Sequence, residues 1–179
     1  VFYSDAMDEL GSFAIKHNIP VTQTVMGYST MKRDHSHFLG PIGGLGGRAA
    51  NNLAKETDLA ICVGTKLADF TTGSWANFEN PEFKLVSINI ARHDANKHLA
   101  EAVIGDAKVC LSELSNSLGN WKSPDSWHKK SQDELKSWNE YVDKESGPTN
   151  QETPNYAHAV GAIYRNSDPT DIAVTAAGG

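Results

Sequence analysis

Short apolar runs alternate with amphipathic segments along residues 1–120. The runs "PVTQTV", "LAICVG", "KLVSINI" and "AVIG" each predict a strand. The last three are apolar at nearly every position, rather than at every second one, which is typical of strands buried on both faces of a parallel sheet. Because helical segments lie between these runs, the pattern predicts an α/β fold in which helices flank an open parallel sheet.

Apolar residues at helical spacing predict three helices in this part of the chain. Ser4 is expected to cap the first helix, which ends near Asn18, and Asp106 is expected to start the third. The stretch "TMKRDHSHFLG", between the first strand and the second helix, is predicted to be a polar loop. The predicted apolar faces are Met7, Leu10, Phe13 and Ala14, then Ala49, Ala50, Leu53 and Ala54, and finally Ala107, Cys110, Leu111, Leu114 and Leu118.

Polar residues predominate after residue 116. A surface helix with Trp127, Leu135, Trp138 and Val142 near one stripe is predicted there, followed by a linker at "SGPTNQETP", because glycine and proline interrupt regular structure. Beyond the linker, "NYAHAVGAIYRNS" predicts a helix and "DIAVTAAGG" a buried strand. The predicted organisation is an α/β domain over 1–120, a polar helical segment and linker over 121–155, and the start of a second α/β domain over 156–179.

The composition of the chain indicates its cellular environment and excludes some classes of partner. The 16 basic residues against 22 acidic ones give a net charge of -6 without a basic cluster, so we expect no nucleic acid partner. No apolar run approaches the roughly 20 residues that span a bilayer, so no membrane association is expected. Cys62 and Cys110 lie in apolar segments, which favours reduced thiols and a cytoplasmic location. The start at Val1 and the final glycines predict that the chain belongs to something longer.

The stretch "GPIGGLGGRAANNLA", from Gly40 to Ala54, joins a glycine-rich loop to a predicted helix. Gly43, Gly44 and Gly46 have spacings that allow a backbone approach to a diphosphate at a helix N-terminus. A dinucleotide fingerprint follows a strand directly, however, whereas this loop is expected to follow an irregular polar stretch. Two interpretations stay open: contact with a nucleotide, and, favoured here, close packing of the helix against the sheet or a neighbouring domain.

The segment "VGTKLADFTTGSW" follows a predicted strand, at the edge where open α/β sheets bind ligands. Thr65 could donate a hydrogen bond to a ligand there and Lys66 could meet an anion. Alternatively, the segment is a loop that turns against a partner domain. The histidines of "DHSH" and "HDANKH" lack the helical spacing or the cysteine pair of a metal site, so they are expected to be polar loop residues, and no residue stands out as a catalytic nucleophile.

Three longer stretches together carry a resemblance to a known family: "GPIGGLGGRAANNLAKETDLAICVGTKLADFTTGSW", "SINIARHDANKH" and "VIGDAKVCLSEL". They resemble the central domain of thiamine-diphosphate enzymes of the acetolactate synthase and pyruvate oxidase group. The combination of "DFTTGSW", "NIARHDANKH" and "VTAAGG" favours the ring-opening hydrolase branch, which acts on a cyclic diketone of inositol breakdown. The resemblance covers nearly the whole chain.

The resemblance implies a parent enzyme with a pyrimidine-binding domain, a Rossmann-like central domain and a diphosphate-binding domain, assembled as a homodimer or homotetramer. Thiamine diphosphate and Mg²⁺ would lie between the outer two domains, where the cofactor carbanion attacks the diketone and water releases the acyl product. This chain would be a fragment that lacks the central domain's first strand, the cofactor-activating glutamate and the Gly-Asp-Gly metal motif. It is therefore expected to be inactive alone, with no catalytic or metal-binding residue of its own.

By the same resemblance, the one expected contact with thiamine diphosphate is the final loop, at Gly178 and Gly179, without useful affinity in this chain. Some relatives hold FAD through a loop like Gly43–Gly47 and the segment after the "VGT" strand, but the hydrolase branch is not expected to need FAD. Two other functions stay open: a fragment of an acetolactate synthase-like enzyme, and a self-contained module that binds FAD or NAD.

Overall fold

The computed structural model describes residues 1–168 and 170–174. In this part of the chain, the strands are β1 (Val21–Gln23), β2 (Phe38–Pro41), β3 (Leu59–Val63), β4 (Lys84–Asn89) and β5 (Glu101–Ile104). The helices are α1 (Met7–His17), α2 (Arg48–Glu56), α3 (Asp69–Thr72), α4 (Arg92–Ala95), α5 (Ala107–Leu118), α6 (Asp125–Glu145) and α7 (Tyr156–Asn166). The chain divides into two compact units, Val1–Ser137 and Trp138–Gly179, with the boundary inside α6.

The strands of the first unit form two small sheets in which every pair is parallel. One sheet is β1-β2, and the other has the order β3-β4-β5. Ala60 of β3 is opposite Leu85 of β4, and Val86 of β4 is opposite Glu101 of β5. The predicted α/β class, with parallel strands flanked by helices, is confirmed.

The first unit has two hydrophobic clusters, on opposite sides of β2. Phe38 packs with α1 and α5 in one cluster, whereas Leu39 packs with α2 in the other. Successive side chains of a strand point to opposite faces, so adjacent residues of one short strand enter both clusters. Trp127 and Leu135 of α6 both pack against the second cluster. This agrees with their predicted positions near one stripe of a helix. The buried members of the first cluster are Ala6, Leu10, Phe13, Ala14, Met31, Phe38, Ala107 and Leu111.

Strand β2 corrects the prediction of a continuous polar loop between the first strand and the second helix. The loop prediction was wrong at Phe38–Pro41, which pairs with β1. The strand has only four residues, and its last two are glycine and proline, so it has almost no strand signal of its own. The burial of Phe38 and Leu39 between helices stabilises it instead.

Strand β3 is where it was predicted, but the prediction that it is buried on both faces was wrong. It pairs with β4 alone, and Leu59 at its start is 45% exposed. In contrast, β4 has a partner on each side and buries Leu85 and Ile88. Strand β5, the other edge of this sheet, also exposes apolar side chains, among them Val103. The two edge strands of this sheet therefore keep part of their apolar runs exposed, whereas the central strand is more buried.

Helices α1 and α5, which pack against each other in the first cluster, differ in how their N-termini are capped. Ser4, the predicted cap of α1, lies in a short 3-10 turn, and Ala6 occupies the capping position without a side-chain hydrogen bond. The prediction for Ser4 was therefore wrong. Asp106 does start α5, where its carboxylate accepts hydrogen bonds from the N–H groups of Lys108 and Val109. A hydrogen bond from Ser4, together with those two, lowers the pKa of Asp106.

The second unit contains α7, as predicted from its apolar spacing. Asn155 caps this helix by accepting a hydrogen bond from the N–H of His158, whose ring in turn accepts from the N–H of Asn155. The strand predicted at "DIAVTAAGG" is wrong for Asp171–Val174, which form no strand and expose Ile172 and Val174. The described part of this unit has no other strand with which they could pair. Residues 175–179 lie outside the described residues.

Within residues 1–168 and 170–174, none of the helices combines the length and the apolar character needed to cross a bilayer. The domain boundaries predicted at residues 120 and 155 stay predictions.

Candidate functional site

The glycine loop, Gly43–Gly47, lies between the carboxyl end of β2 and the start of α2. The sequence predicted that an irregular stretch precedes this loop, and that expectation was wrong because β2 ends at Pro41. The local order of strand, glycine loop and helix is therefore that of a phosphate-binding turn. Whether the loop can hold an anion depends on its backbone N–H groups.

The N–H groups of Gly43, Gly44, Gly46 and Gly47 donate to acceptors of the protein itself. The Gly44 N–H donates to the carbonyl of Phe70 at 2.7 Å, the Gly46 N–H to the carbonyl of Gly43 at 2.9 Å, and the Gly47 N–H to the carbonyl of Pro41 at 2.8 Å. A phosphate cradle requires several N–H groups directed at the ligand. An anion that contacted these four N–H groups would have to replace hydrogen bonds that already exist.

Asn51, in the first turns of α2, holds the loop by its side chain. Its Oδ1 accepts a hydrogen bond from the Gly43 N–H at 2.9 Å, and its Nδ2 donates to the Gly43 carbonyl at 3.0 Å. The Asn77 amide also donates to Asn51 Oδ1, at 3.2 Å. The sequence interpretation missed Asn51; the available signal was an asparagine in an alanine-rich helix eight residues after a glycine.

Only some of the candidate glycines are required by the surrounding structure. Gly43 has φ of +105°, and a Cβ on it would clash with the carbonyl of Phe70. A Cβ on Gly46 would lie 2.5 Å from the carbonyl carbon of Ile42. Gly44 is exposed, and the nearest atom to its Cβ would be 3.7 Å away, on Phe70. Close packing thus demands glycine at two of the three positions.

Thr65 follows β3, at the same edge as the glycine loop. Its hydroxyl donates to the hydroxyl of Thr24 at 3.5 Å, and its carbonyl accepts from Asn89 Nδ2 at 3.3 Å. Thr72, at the end of α3, is buried, and its hydroxyl donates to the carbonyl of Ala68 and accepts from the N–H of Trp75. In the segment after β3, Thr65 therefore connects to other segments, whereas Thr72 stabilises its own turn.

The structure brings histidines together at the start of β2. His37 is buried, its ring stacks on that of His128 at 4.2 Å, and its Nε2 is 3.2 Å from Asn18 Oδ1. Burial, followed by the nearby charges of His128 and His35, lowers the pKa of His37 to about 4. In residues 1–168 and 170–174, no group of three or more His, Cys, Asp or Glu side chains is arranged to hold a metal ion.

Both cysteines are free thiols with poor nucleophilic character. Burial raises the pKa of Cys62 to about 12, and burial together with the charge of Asp106 raises the pKa of Cys110. The remaining candidate residues, Gly178 and Gly179, lie outside the described residues. The described part of the chain thus presents a loop edge held by internal hydrogen bonds, without an evident reacting group.

Comparison with known proteins gives a family and a set of relatives. The family described as "thiamine pyrophosphate enzyme, central domain" matches residues 1–114. A 3D-(3,5/4)-trihydroxycyclohexane-1,2-dione hydrolase of Clostridium perfringens is 46% identical over 118 residues, which are 66% of this chain. The protein of the same name in Clostridium botulinum is 40% identical over 144 residues, which are 80% of this chain.

A further relative, from Bacillus cereus, is named 3D-(3,5/4)-trihydroxycyclohexane-1,2-dione hydrolase 2 and is 46% identical over 118 residues. The aligned region covers only a small part of each relative: 18% of the Clostridium perfringens protein and 22% of the Clostridium botulinum protein. Most of the length of these proteins therefore has no counterpart in this chain.

Proposed function

This chain belongs to the thiamine pyrophosphate enzymes, whose central domain it contains, and from that premise we propose that it is a segment of a hydrolase acting on 3D-(3,5/4)-trihydroxycyclohexane-1,2-dione. The observation that carries the proposal is the 46% identity, over 118 residues, to a protein of that name. The proposed reaction breaks a carbon–carbon bond of the cyclic diketone and releases 5-deoxy-glucuronate, as a step of inositol catabolism. The proposed location is the cytoplasm.

The described residues do not fit the cofactor of the family. A diphosphate needs N–H donors that are free to reach it, and the N–H groups of Gly43, Gly44 and Gly46 donate to protein acceptors instead. Thr65 directs its hydroxyl to Thr24. We therefore assign no step of the reaction to these residues and no cofactor contact to the glycine loop.

The proposed role of this segment is structural. Its loops hold one another in place, whereas thiamine diphosphate and Mg²⁺ bind elsewhere in the whole protein, between a pyrimidine-binding and a diphosphate-binding domain. Gly178 and Gly179 are the proposed contacts with the cofactor from this chain. The whole protein is proposed to form homodimers or homotetramers, whereas the segment alone is inactive and binds neither thiamine diphosphate nor FAD.

An assay of the full-length protein that contains this chain tests the substrate. Thiamine diphosphate and Mg²⁺ are added, and the cyclic diketone and pyruvate are offered separately. Ring opening of the diketone without turnover of pyruvate is the expected result. Turnover of pyruvate alone would refute the proposal and favour an acetolactate synthase-like parent.

A calorimetric titration of this chain with FAD, NAD or ADP tests the alternative of a self-contained nucleotide-binding module. We expect no heat of binding at micromolar concentrations, because the N–H groups of the four glycines in the loop are bonded internally. Micromolar affinity for any of the three would contradict the structural role. Gly44→Ala serves as a control for binding at the loop, since the substitution leaves the packing intact but adds a methyl group at an exposed position.

A further inference from the structure

Away from the glycine loop, the end of α1 and the last turns of α5 bring a serine, a histidine and a lysine together. His17, the last residue of α1, is fully buried. Its Nε2 is 2.9 Å from Ser115 Oγ, on α5, and its Nδ1 is 2.8 Å from the carbonyl oxygen of Trp121. The ammonium of Lys16 donates to Ser115 Oγ at 3.0 Å. We call Ser115, His17 and Lys16 the serine cluster.

The carbonyl of Trp121 selects the tautomer of His17. A carbonyl oxygen can only accept a hydrogen bond, so the neutral ring carries its proton on Nδ1 and donates it there. Its Nε2 is then the acceptor for the hydroxyl of Ser115. A histidine that is oriented through one nitrogen and faces a hydroxyl with the other is the arrangement that activates serine nucleophiles. His17 is therefore placed to take the proton of Ser115.

Lys16 places a positive charge beside the hydroxyl of Ser115. Its ammonium donates to the carbonyl oxygen of Ser115 as well as to Oγ, both at 3.0 Å. The two bonds hold the ammonium near Oγ, although the side chain of Lys16 is exposed. During acyl transfer, negative charge develops on the carbonyl oxygen of the acyl donor, and a fixed positive charge stabilises it. The serine cluster thus contains a nucleophile, a base and a positive charge.

Ser115 lies on a groove between α1 and α5 that has a volume of about 210 Å³. Part of its lining is apolar, from the buried side chains of Phe13 and Leu111. Pockets for drug-sized ligands have volumes of roughly 300–1,000 Å³, so this groove suits a short acyl group better than a cofactor. The carboxylate of Glu9, which pairs with Lys108, also lines the groove and favours a neutral group over an anionic one.

We propose that Ser115 is a site of O-acylation, which accepts a short neutral acyl group from an activated ester or thioester. The Ser115 oxygen attacks the carbonyl carbon of the donor, and its proton passes to His17 Nε2. The bond between that carbon and the leaving oxygen or sulfur then breaks, and the leaving atom takes the proton from His17. The products are O-acylated Ser115 and a free alcohol or thiol. This inference does not depend on the proposed function, because it uses only residues of α1 and α5.

Acetylation of this chain by p-nitrophenyl acetate tests the proposal. Release of p-nitrophenolate gives the rate, and peptide mass spectrometry distinguishes acetyl-Ser115 from acetylated lysines. Ser112, one turn earlier on α5, lines the same groove and is the matched serine. Acetylation is expected to be about 100-fold faster at Ser115 than at Ser112, because a positioned base accelerates such reactions by about 10²–10⁴-fold. Equal rates at the two serines, or acetyl groups on lysines alone, would overturn the proposal.

Substitutions test the roles of the other two members of the serine cluster. Lys16→Met, at an exposed position, is expected to slow acetylation of Ser115 about tenfold, whereas the matched control Lys32→Met should leave the rate unchanged. His17→Gln is expected to slow it about 100-fold, with circular dichroism to verify folding. An unchanged rate in folded His17→Gln would contradict the proposal. If that variant does not fold, the comparison of Ser115 with Ser112 in the unsubstituted chain still decides.

Discussion

The inner and outer sides of the glycine loop differ in how far the protein itself covers them. On its inner side, the loop has its carbonyl and N–H groups paired with Asn51, Phe70 and Pro41, and glycine is sterically required at Gly43. On its outer side, Leu45 is 67% exposed. The inner side is complete without any partner, whereas the outer side still exposes apolar area. The difference separates residues that maintain this fold from residues that are available to a neighbour.

The same comparison explains why glycine content alone is a poor guide to nucleotide binding. A glycine loop between a strand and a helix has two uses: it can leave N–H groups for a ligand, or it can let backbone segments approach closely. Here the carbonyl of Phe70 occupies the space where a side chain of Gly43 would be, and the same carbonyl accepts the N–H of Gly44. The loop therefore holds a neighbouring loop of the protein itself.

The largest expected effect is that of Gly43→Ala on the inner side of the loop. The new Cβ would clash with the Phe70 carbonyl, and φ of +105° is unfavourable for alanine. We expect the free energy of unfolding of this chain, measured by urea denaturation, to fall by about 3–5 kcal/mol. Gly44→Ala is the matched control and should change it by less than about 0.5 kcal/mol. Equal effects at the two positions would contradict the steric explanation.

An intermediate effect is expected from Asn51→Ala, which removes both hydrogen bonds to Gly43 and the one from Asn77. Since Gly43 is buried, its N–H would be left without a partner, at a cost of about 2 kcal/mol, whereas its carbonyl would keep the hydrogen bond from the Gly46 N–H. Asn52→Ala, one position along α2, removes one hydrogen bond to Glu134 and makes the same change in helix propensity. The difference in unfolding free energy between these two variants measures the contribution of the Asn51 clamp. No difference would mean that the loop keeps its conformation without it.

The smallest effect on stability is expected from Leu45→Ala, on the outer side of the glycine loop. Leu45→Ala should lower the unfolding free energy of this chain by no more than about 0.5 kcal/mol, because the side chain buries little area. Leu39→Ala, at a position 1% exposed, should lower it by about 3 kcal/mol. Thermal denaturation of both variants checks the contrast. A large decrease in the unfolding free energy of Leu45→Ala would show that the outer side of the loop already packs within this unit.

The sequence predicted the elements whose signal is local and missed those that depend on neighbours. The amphipathic spacing of α2 and the apolar run of β4 were sufficient to place both, because each element buries the residues that its own period predicts. Strand β2 has no such period: it has four residues and ends in Gly40 and Pro41. The prediction of a cap at Ser4 failed since Asp106, far along the chain, accepts its hydrogen bond.

The candidate site also combines features that the sequence indicated with features that depend on distant residues. The sequence drew attention to Gly43, Gly44, Gly46 and Thr65, but it could not separate a glycine that packs from one that leaves its N–H for a ligand. That distinction depends on Phe70, Asn51 and Thr24, which come from other loops and from α2. Gly178 and Gly179, which lie outside the described residues, stay predicted cofactor contacts.

By itself, the sequence determined the α/β class, the positions of most helices and strands, and the resemblance to thiamine-diphosphate enzymes, because these follow from residue periodicity and from motifs that are contiguous in the chain. Only the tertiary structure decided the division of the strands into two sheets, the partial burial of β3 and the internal bonding of the glycine loop. Each of these depends on which distant segment lies beside a given backbone group, and no local pattern contains that information.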